Sequence, residues 1–84
     1  MTPLDAVLEG RRLGVRLWLG GAGEDVRIMA DGGTQETRAW LRTVRDADEA
    51  AFGLAVALVA AVERGGGDPE RLRGVRELQI VGIQ

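Results

Sequence analysis

The chain has 84 residues, a formal net charge of −2, and neither cysteine nor histidine. A chain of this length forms one domain, 1–84, with a small core, and without cysteine it can form neither a disulfide framework nor a thiolate metal site. Ser, Tyr, Lys and Asn are also absent. Because most nucleophiles and general bases come from these residue types, we expect no enzyme, no cofactor and no metal.

The first segment predicts a short helix. Thr2 is a typical capping residue, Pro3 stands at the first helical position, and Gly10 is expected to end the helix. No basic start and no long apolar run precede a cleavage site here, so we expect a cytoplasmic protein without a secretory signal. The apolar positions share one face of the helix: Leu4, Val7 and Leu8.

Two segments alternate between apolar and polar residues, Arg12–Leu19 and Asp25–Ala30. This period of two predicts strands, and the glycines at 20–23 suit a tight connection. The two strands are therefore expected to pair as a hairpin. The predicted inward positions are Leu13, Val15, Leu17, Leu19, Val26, Ile28 and Ala30.

Residues 34–45 fit two structures. As a strand, the segment places Arg38, Trp40 and Arg42 on one face, and its Thr, Trp and Val residues favour that state. As a helix, it forms an apolar stripe of Trp40, Leu41 and Val44. We prefer the strand, because no Gly or Pro separates this segment from the helix that follows.

The segment Asp46–Arg64 predicts one long helix, with Asp46 as cap and Glu49 three residues later. From Ala50 to Val62 it carries no charged or hydrogen-bonding side chain, so it is apolar on every side. This run is shorter than the about 20 residues that a bilayer requires. We therefore expect no membrane insertion and expect protein to cover the helix on more than one side.

After a triple glycine, Asp68, Pro69 and Glu70 predict a short turn of helix. Val75–Ile83 reads as a final strand that is apolar on both faces near its end. The predicted fold is α+β: an antiparallel sheet of three or four strands, one long apolar helix packed on one face of it, and a short N-terminal helix.

The leading functional hypothesis is a small non-catalytic protein–protein interaction module that binds itself or another protein. Gly53, Ala57 and Ala61 lie one helical turn apart and allow a second backbone to approach closely. The alternative is that they fill a tight helix-to-sheet contact within one chain. The residues predicted for self-association are Gly53, Ala57, Ala61, Leu58, Val62, Ile80 and Ile83.

A rival hypothesis is nucleic-acid binding through arginine and tryptophan side chains on one sheet face. The segments Arg38–Thr43 and Ala47–Ala51 resemble the third strand and helix start of the ethylene-response-factor domain of plants, and the related arm-binding domains of tyrosine recombinases also place a three-stranded sheet in the groove. That resemblance implies contact with DNA through Arg38 and Trp40. The candidate contacts are Arg12, Arg16, Trp18, Arg27, Arg38, Trp40 and Arg42.

A second resemblance assumes that 34–45 is a helix. Ala39–Leu41, the long helix and Leu72–Leu78 are similar to the helix pair and following strand of ribosome-dependent RelE/HigB-type toxins. In those toxins the later strands carry the basic and aromatic residues that cleave mRNA, and residues after Gln84 would be needed for an equivalent. The resemblance therefore implies an inactive scaffold.

Overall fold

The computed structural model describes residues 1–73 as three α-helices packed around a two-stranded antiparallel sheet. The order is α1 (Pro3–Arg12), β1 (Val15–Gly20), a 3-10 turn (Gly23–Asp25), β2 (Arg27–Gly32), α2 (Gln35–Ala47), α3 (Glu49–Arg64) and a second 3-10 turn (Pro69–Leu72). No helix in this part of the chain is long and apolar enough to cross a membrane. The strand predicted at 75–83 lies outside the described residues.

α1 lies at the centre of the fold, although it is the shortest of the three helices. It begins as predicted, since Thr2 Oγ1 accepts a hydrogen bond from the backbone N–H of Asp5 at 3.1 Å. Gly10 does not end the helix, which continues to Arg12. An ideal Cβ at Gly10 would lie 2.7 Å from Leu41 Cδ1, so this glycine allows α2 to pack closely against α1. The core consists of Leu4, Ala6, Val7, Leu8, Val15, Leu41, Phe52, Ala55, Val56 and Val59.

β1 and β2 form the predicted hairpin, with strand ends shifted by one to three residues along the chain. Val15 pairs with Gly32 and Gly20 with Arg27. Arg12 belongs to α1 and not to the first strand, because the helix continues past Gly10 and Arg12 lies in its last turn. Gly21 has φ +92°, and a Cβ there would lie 2.2 Å from the carbonyl oxygen of Asp25. The turn therefore requires glycine at this position.

The preference for a strand at 34–45 is wrong, because these residues form α2 with the stripe of the helical alternative. Thr34 caps the helix by accepting from the N–H of Thr37 at 3.1 Å. Leu41 is buried, and Trp40 and Val44 are half-buried against the core. Burial of this stripe on α1 and α3 outweighs the strand preference of single residues.

The predicted fold is wrong in two further respects. The structure is α+β, but its described part has two strands where three or four were expected, since the third predicted strand is α2. One long apolar helix over 46–64 is also absent. The helical conformation is interrupted at Asp48, which has φ −157° and ψ 86°. Asp46 lies in the last turn of α2. Asp48, two residues beyond the predicted cap, accepts from the N–H of Ala51 at 3.2 Å and caps α3.

Candidate functional site

α3 is buried on one side and open on the other. Phe52, Ala55, Val56 and Val59 face the core, with exposed fractions of 0 to 5%. The opposite side remains free of charge along three turns, and Leu54 there is 45% exposed. We call this side the α3 strip. Its members are Ala50, Gly53, Leu54, Ala57 and Ala61, of which Gly53 and Ala57 are half-buried and the others are exposed.

The tip of the hairpin extends the α3 strip into a shallow groove of about 810 Å³. Leu19 and Val26 line it from the strand side and are 41% and 52% exposed. Ile28 forms its base, and its Cδ1 lies 3.9 Å from where a Cβ on Gly53 would stand. Charged residues stand at the rim of an otherwise apolar surface: Arg27, Arg45 and Glu49.

The residues predicted for self-association separate into two groups. Gly53, Ala57 and Ala61 lie on the α3 strip. Leu58 and Val62 are half-buried, and Leu58 packs against the core. Ile80 and Ile83 lie outside the described residues.

The arginines and tryptophans predicted to form one sheet face are distributed over α1, the sheet and α2. Only Arg16, Trp18 and Arg27 belong to the sheet, where Trp18 pairs with Met29 and the Arg16 guanidinium lies 5.8 Å from the Trp18 ring centroid. The prediction that the other four share this face is wrong, because Arg12 is on α1 and the remaining three are on α2. These four residues are Arg12, Arg38, Trp40 and Arg42.

Two of the three residues on α2 have structural contacts. Arg38 donates from Nη1 to the carbonyl oxygens of Gly32 and Gly33 at 2.6 and 3.2 Å and so holds α2 against the end of β2. Trp40 is half-buried against the core. The third strand that the ethylene-response-factor resemblance requires is thus helical, whereas the helix that the RelE/HigB-type resemblance requires is present. Both resemblances remain hypotheses about ancestry and function.

An exposed ionic cluster joins the end of α1 to the second 3-10 turn. Arg12 donates to both carboxylate oxygens of Glu9, and Arg73 donates to Glu70 at 2.7 and 3.0 Å and to Glu9 at 3.3 Å. The hydrogen bonds from Arg12 lower the pKa of Glu9, with a smaller contribution from Arg73. Those from Arg73 lower the pKa of Glu70. These four charges neutralise one another, and exposed ion pairs of this kind contribute little to stability.

A second cavity, which sequence reasoning missed, lies between the inner face of the hairpin and α2. Its volume is about 200 Å³, and arginines from α2 stand beside its apolar wall. Only the helical alternative for 34–45 places those arginines on one side of the chain at a spacing of four and three. The helical spacing of Arg38, Arg42 and Arg45 is therefore the sequence signal from which the arginine side of the cavity could have been predicted.

The described chain is a small α+β domain with a two-stranded sheet, three helices and an exposed apolar surface on α3. Comparisons with protein-family models, with curated proteins and with solved structures found no match to this chain. The function must therefore be argued from the surface of the molecule itself.

Proposed function

We propose that this protein is a small non-catalytic interaction module that binds a second copy of itself through the α3 strip. The observation that carries the proposal is the exposure of an uncharged face three turns long, which continues onto Leu19 and Val26 of the hairpin. Contiguous apolar surface on a small domain marks an interaction site more often than isolated apolar residues do.

Small side chains on the α3 strip favour another helix as the occupant. Gly53, Ala57 and Ala61 lie one turn apart, and the exposed Leu54 stands beside this row. A helix can approach such a surface closely and place its own large side chains beside the small ones. In a symmetric pair, the Leu54 side chain of one copy would pack over the small residues of the other.

Charges at the two ends of α3 favour an antiparallel pair. Glu49 stands at the N-terminus of α3 and Arg64 at its C-terminus, both exposed. Neither forms an ion pair within residues 1–73. If two α3 helices cross near Ala57 in opposite directions, each Glu49 comes near the Arg64 of the other copy, and the helix dipoles also oppose one another favourably.

The size of the surface sets the expected affinity. At about 1.5 Å per residue, the strip from Ala50 to Ala61 is about 17 Å long. With the adjoining hairpin it is on the order of 20 Å wide, since a helix packs about 10 Å from a neighbouring layer. The resulting area, roughly 350 Å², is below the about 800 Å² per partner of a standard interface. We therefore expect a weak dimer that dissociates as the protein is diluted.

The solution mass as a function of protein concentration tests the proposal. Sedimentation equilibrium should give a mass that rises from that of one chain, 9.0 kDa, towards twice that value. Leu54→Gln should keep the protein monomeric over the same range, because it places an amide in the centre of the contact. Leu13→Gln is the matched control, since Leu13 is also 45% exposed but caps α1 away from the strip.

A mass of 9.0 kDa at every concentration would show that the strip does not bind a second copy. A dimer that Leu54→Gln leaves unchanged, or that Leu13→Gln dissociates equally, would place the contact elsewhere. The cytoplasmic location remains a prediction from the sequence. Nucleic-acid binding also remains a prediction, and the division of its candidate residues among α1, the sheet and α2 gives it no further support.

A further inference from the structure

The cavity between the hairpin and α2 has an apolar wall and a basic mouth. Leu17 and Ile28 contribute from the strands, Leu41 from α2 and Phe52 from α3. None of the described residues that line it is acidic. The same cavity is lined by three arginines of α2: Arg38, Arg42 and Arg45.

The three arginines differ in their existing partners. Arg38 donates to the carbonyl oxygens of Gly32 and Gly33, and Arg45 donates to Asp46 at 2.9 and 3.0 Å. Arg42 forms no side-chain hydrogen bond and no ion pair with any residue of the part that the structure describes. Arg42 is exposed at the open side of the cavity and has no acidic partner among residues 1–73, so it is the group to which an incoming anion would bind.

We propose that this cavity binds a small apolar carboxylate, of the size of benzoate or a short-chain fatty acid. The apolar part of the ligand lies against Leu17, Ile28 and Leu41, and its carboxylate accepts hydrogen bonds from Arg42. The planar guanidinium fork matches a carboxylate with two parallel N–H···O bonds. Arg45 adds positive charge on the same side of α2.

The volume limits the size of the ligand. An enclosed cavity of about 150 Å³ in another protein accepts benzene, whereas the present cavity has about 200 Å³ and is open to solvent on one side. One aromatic ring or a chain of about six carbons therefore fits by the same measure, whereas a drug-sized molecule needs at least about 300 Å³. This inference does not rest on the proposed dimer, because the cavity shares only Ile28 and Arg45 with the groove beside the α3 strip.

A titration with benzoate, followed by backbone amide and methyl NMR signals, tests the inference on the full chain. Saturable shifts should be confined to residues of the cavity, above all Leu17, Ile28 and Leu41. Benzamide has the same ring without the charge and should bind at least about tenfold more weakly, because hydrogen bonds to charged groups are the stronger ones. Acetate at equal ionic strength controls for general salt effects.

Two variants examine the two halves of the cavity separately. Arg42→Gln should weaken benzoate binding about tenfold or more, whereas Arg71→Gln, which removes an exposed arginine from the second 3-10 turn, should leave it unchanged. Ala30→Leu should block binding by filling the cavity, with Arg42 intact. Absence of saturable shifts, equal binding of benzamide, or unchanged binding by Arg42→Gln in a folded protein would overturn the proposal.

Discussion

Substitution of Gly10 by alanine introduces a methyl group between α1 and α2. Its Cβ would lie 2.7 Å from Leu41 Cδ1 and 3.2 Å from Leu41 Cδ2, whereas carbon atoms pack at about 3.5 to 4.0 Å. Leu41 is 3% exposed and also lines the cavity beside α2, so its side chain can relax towards that cavity but meets core residues on its other sides. Gly10→Ala therefore combines a favourable helix effect with an unfavourable packing effect.

The two effects can be compared in magnitude. Replacement of glycine by alanine inside a helix stabilises by about 1 kcal/mol, and overpacking a core costs about 1 to 3 kcal/mol. We expect Gly10→Ala to lower the free energy of unfolding by about 1 kcal/mol. Gly53→Ala provides the matched control. Among residues 1–73, its Cβ would meet only Ile28 Cδ1, at an ordinary 3.9 Å, so it should stabilise the fold by about 0.5 to 1 kcal/mol.

Urea unfolding followed by circular dichroism measures both variants against the parent protein. With a slope near 1 kcal/mol per M, which is usual for a small domain, the midpoints should move by about 1 M in opposite directions. Each protein should be measured at two concentrations, because self-association would add a concentration-dependent contribution. If Gly10→Ala stabilises the protein as much as Gly53→Ala does, the close packing of α1 on α2 is not correct.

Three further changes have definite expected outcomes. Phe52→Ala should lower the free energy of unfolding by about 3 to 5 kcal/mol in urea unfolding, because Phe52 is 1% exposed in the core. The pKa values of Glu9 and Glu70 are lowered in the folded protein. Their contribution to stability is therefore present above the pKa of an unfolded glutamate and is lost as the pH falls below about 4. Glu9→Gln should reduce the slope of the free energy of unfolding against pH in that acid range. Glu49→Arg should weaken the dimer in sedimentation, and adding Arg64→Glu should restore it, whereas two equally weakened variants would contradict an antiparallel pair.

Local sequence signals predicted the ends of several elements correctly. Thr2 and Pro3 mark the start of α1, and Asp68 followed by Pro69 marks the second 3-10 turn. The hairpin was predicted from its alternation of apolar and polar residues and is confirmed by its antiparallel pairing. Caps and alternation depend on neighbours within a few residues, so the sequence contains most of the information needed.

The sequence predictions were wrong where the structure of a segment depends on contacts with residues far away in the sequence. Residues 34–45 contain both a strand pattern and a helix stripe, and only the burial of Leu41 against Gly10 distinguishes them. Gly10 was predicted to end the first helix, because the sequence alone does not distinguish a glycine that permits close helix packing from one that terminates a helix. The sequence prediction packed one long apolar helix on the sheet, whereas α1 lies at the centre of the fold.

For the candidate surfaces, the sequence by itself determined that the segment from Ala50 to Val62 carries no charge and that its small residues recur once per helical turn. Only the tertiary structure decided which side of α3 remains open, because that depends on where α1 and the hairpin pack. It also decided that Arg38, Arg42 and Arg45 stand beside a cavity, since residues far apart in sequence, Leu17 and Phe52 among them, form its wall. Periodicity assigns a face to a residue, but the packing of distant elements determines what that face contacts.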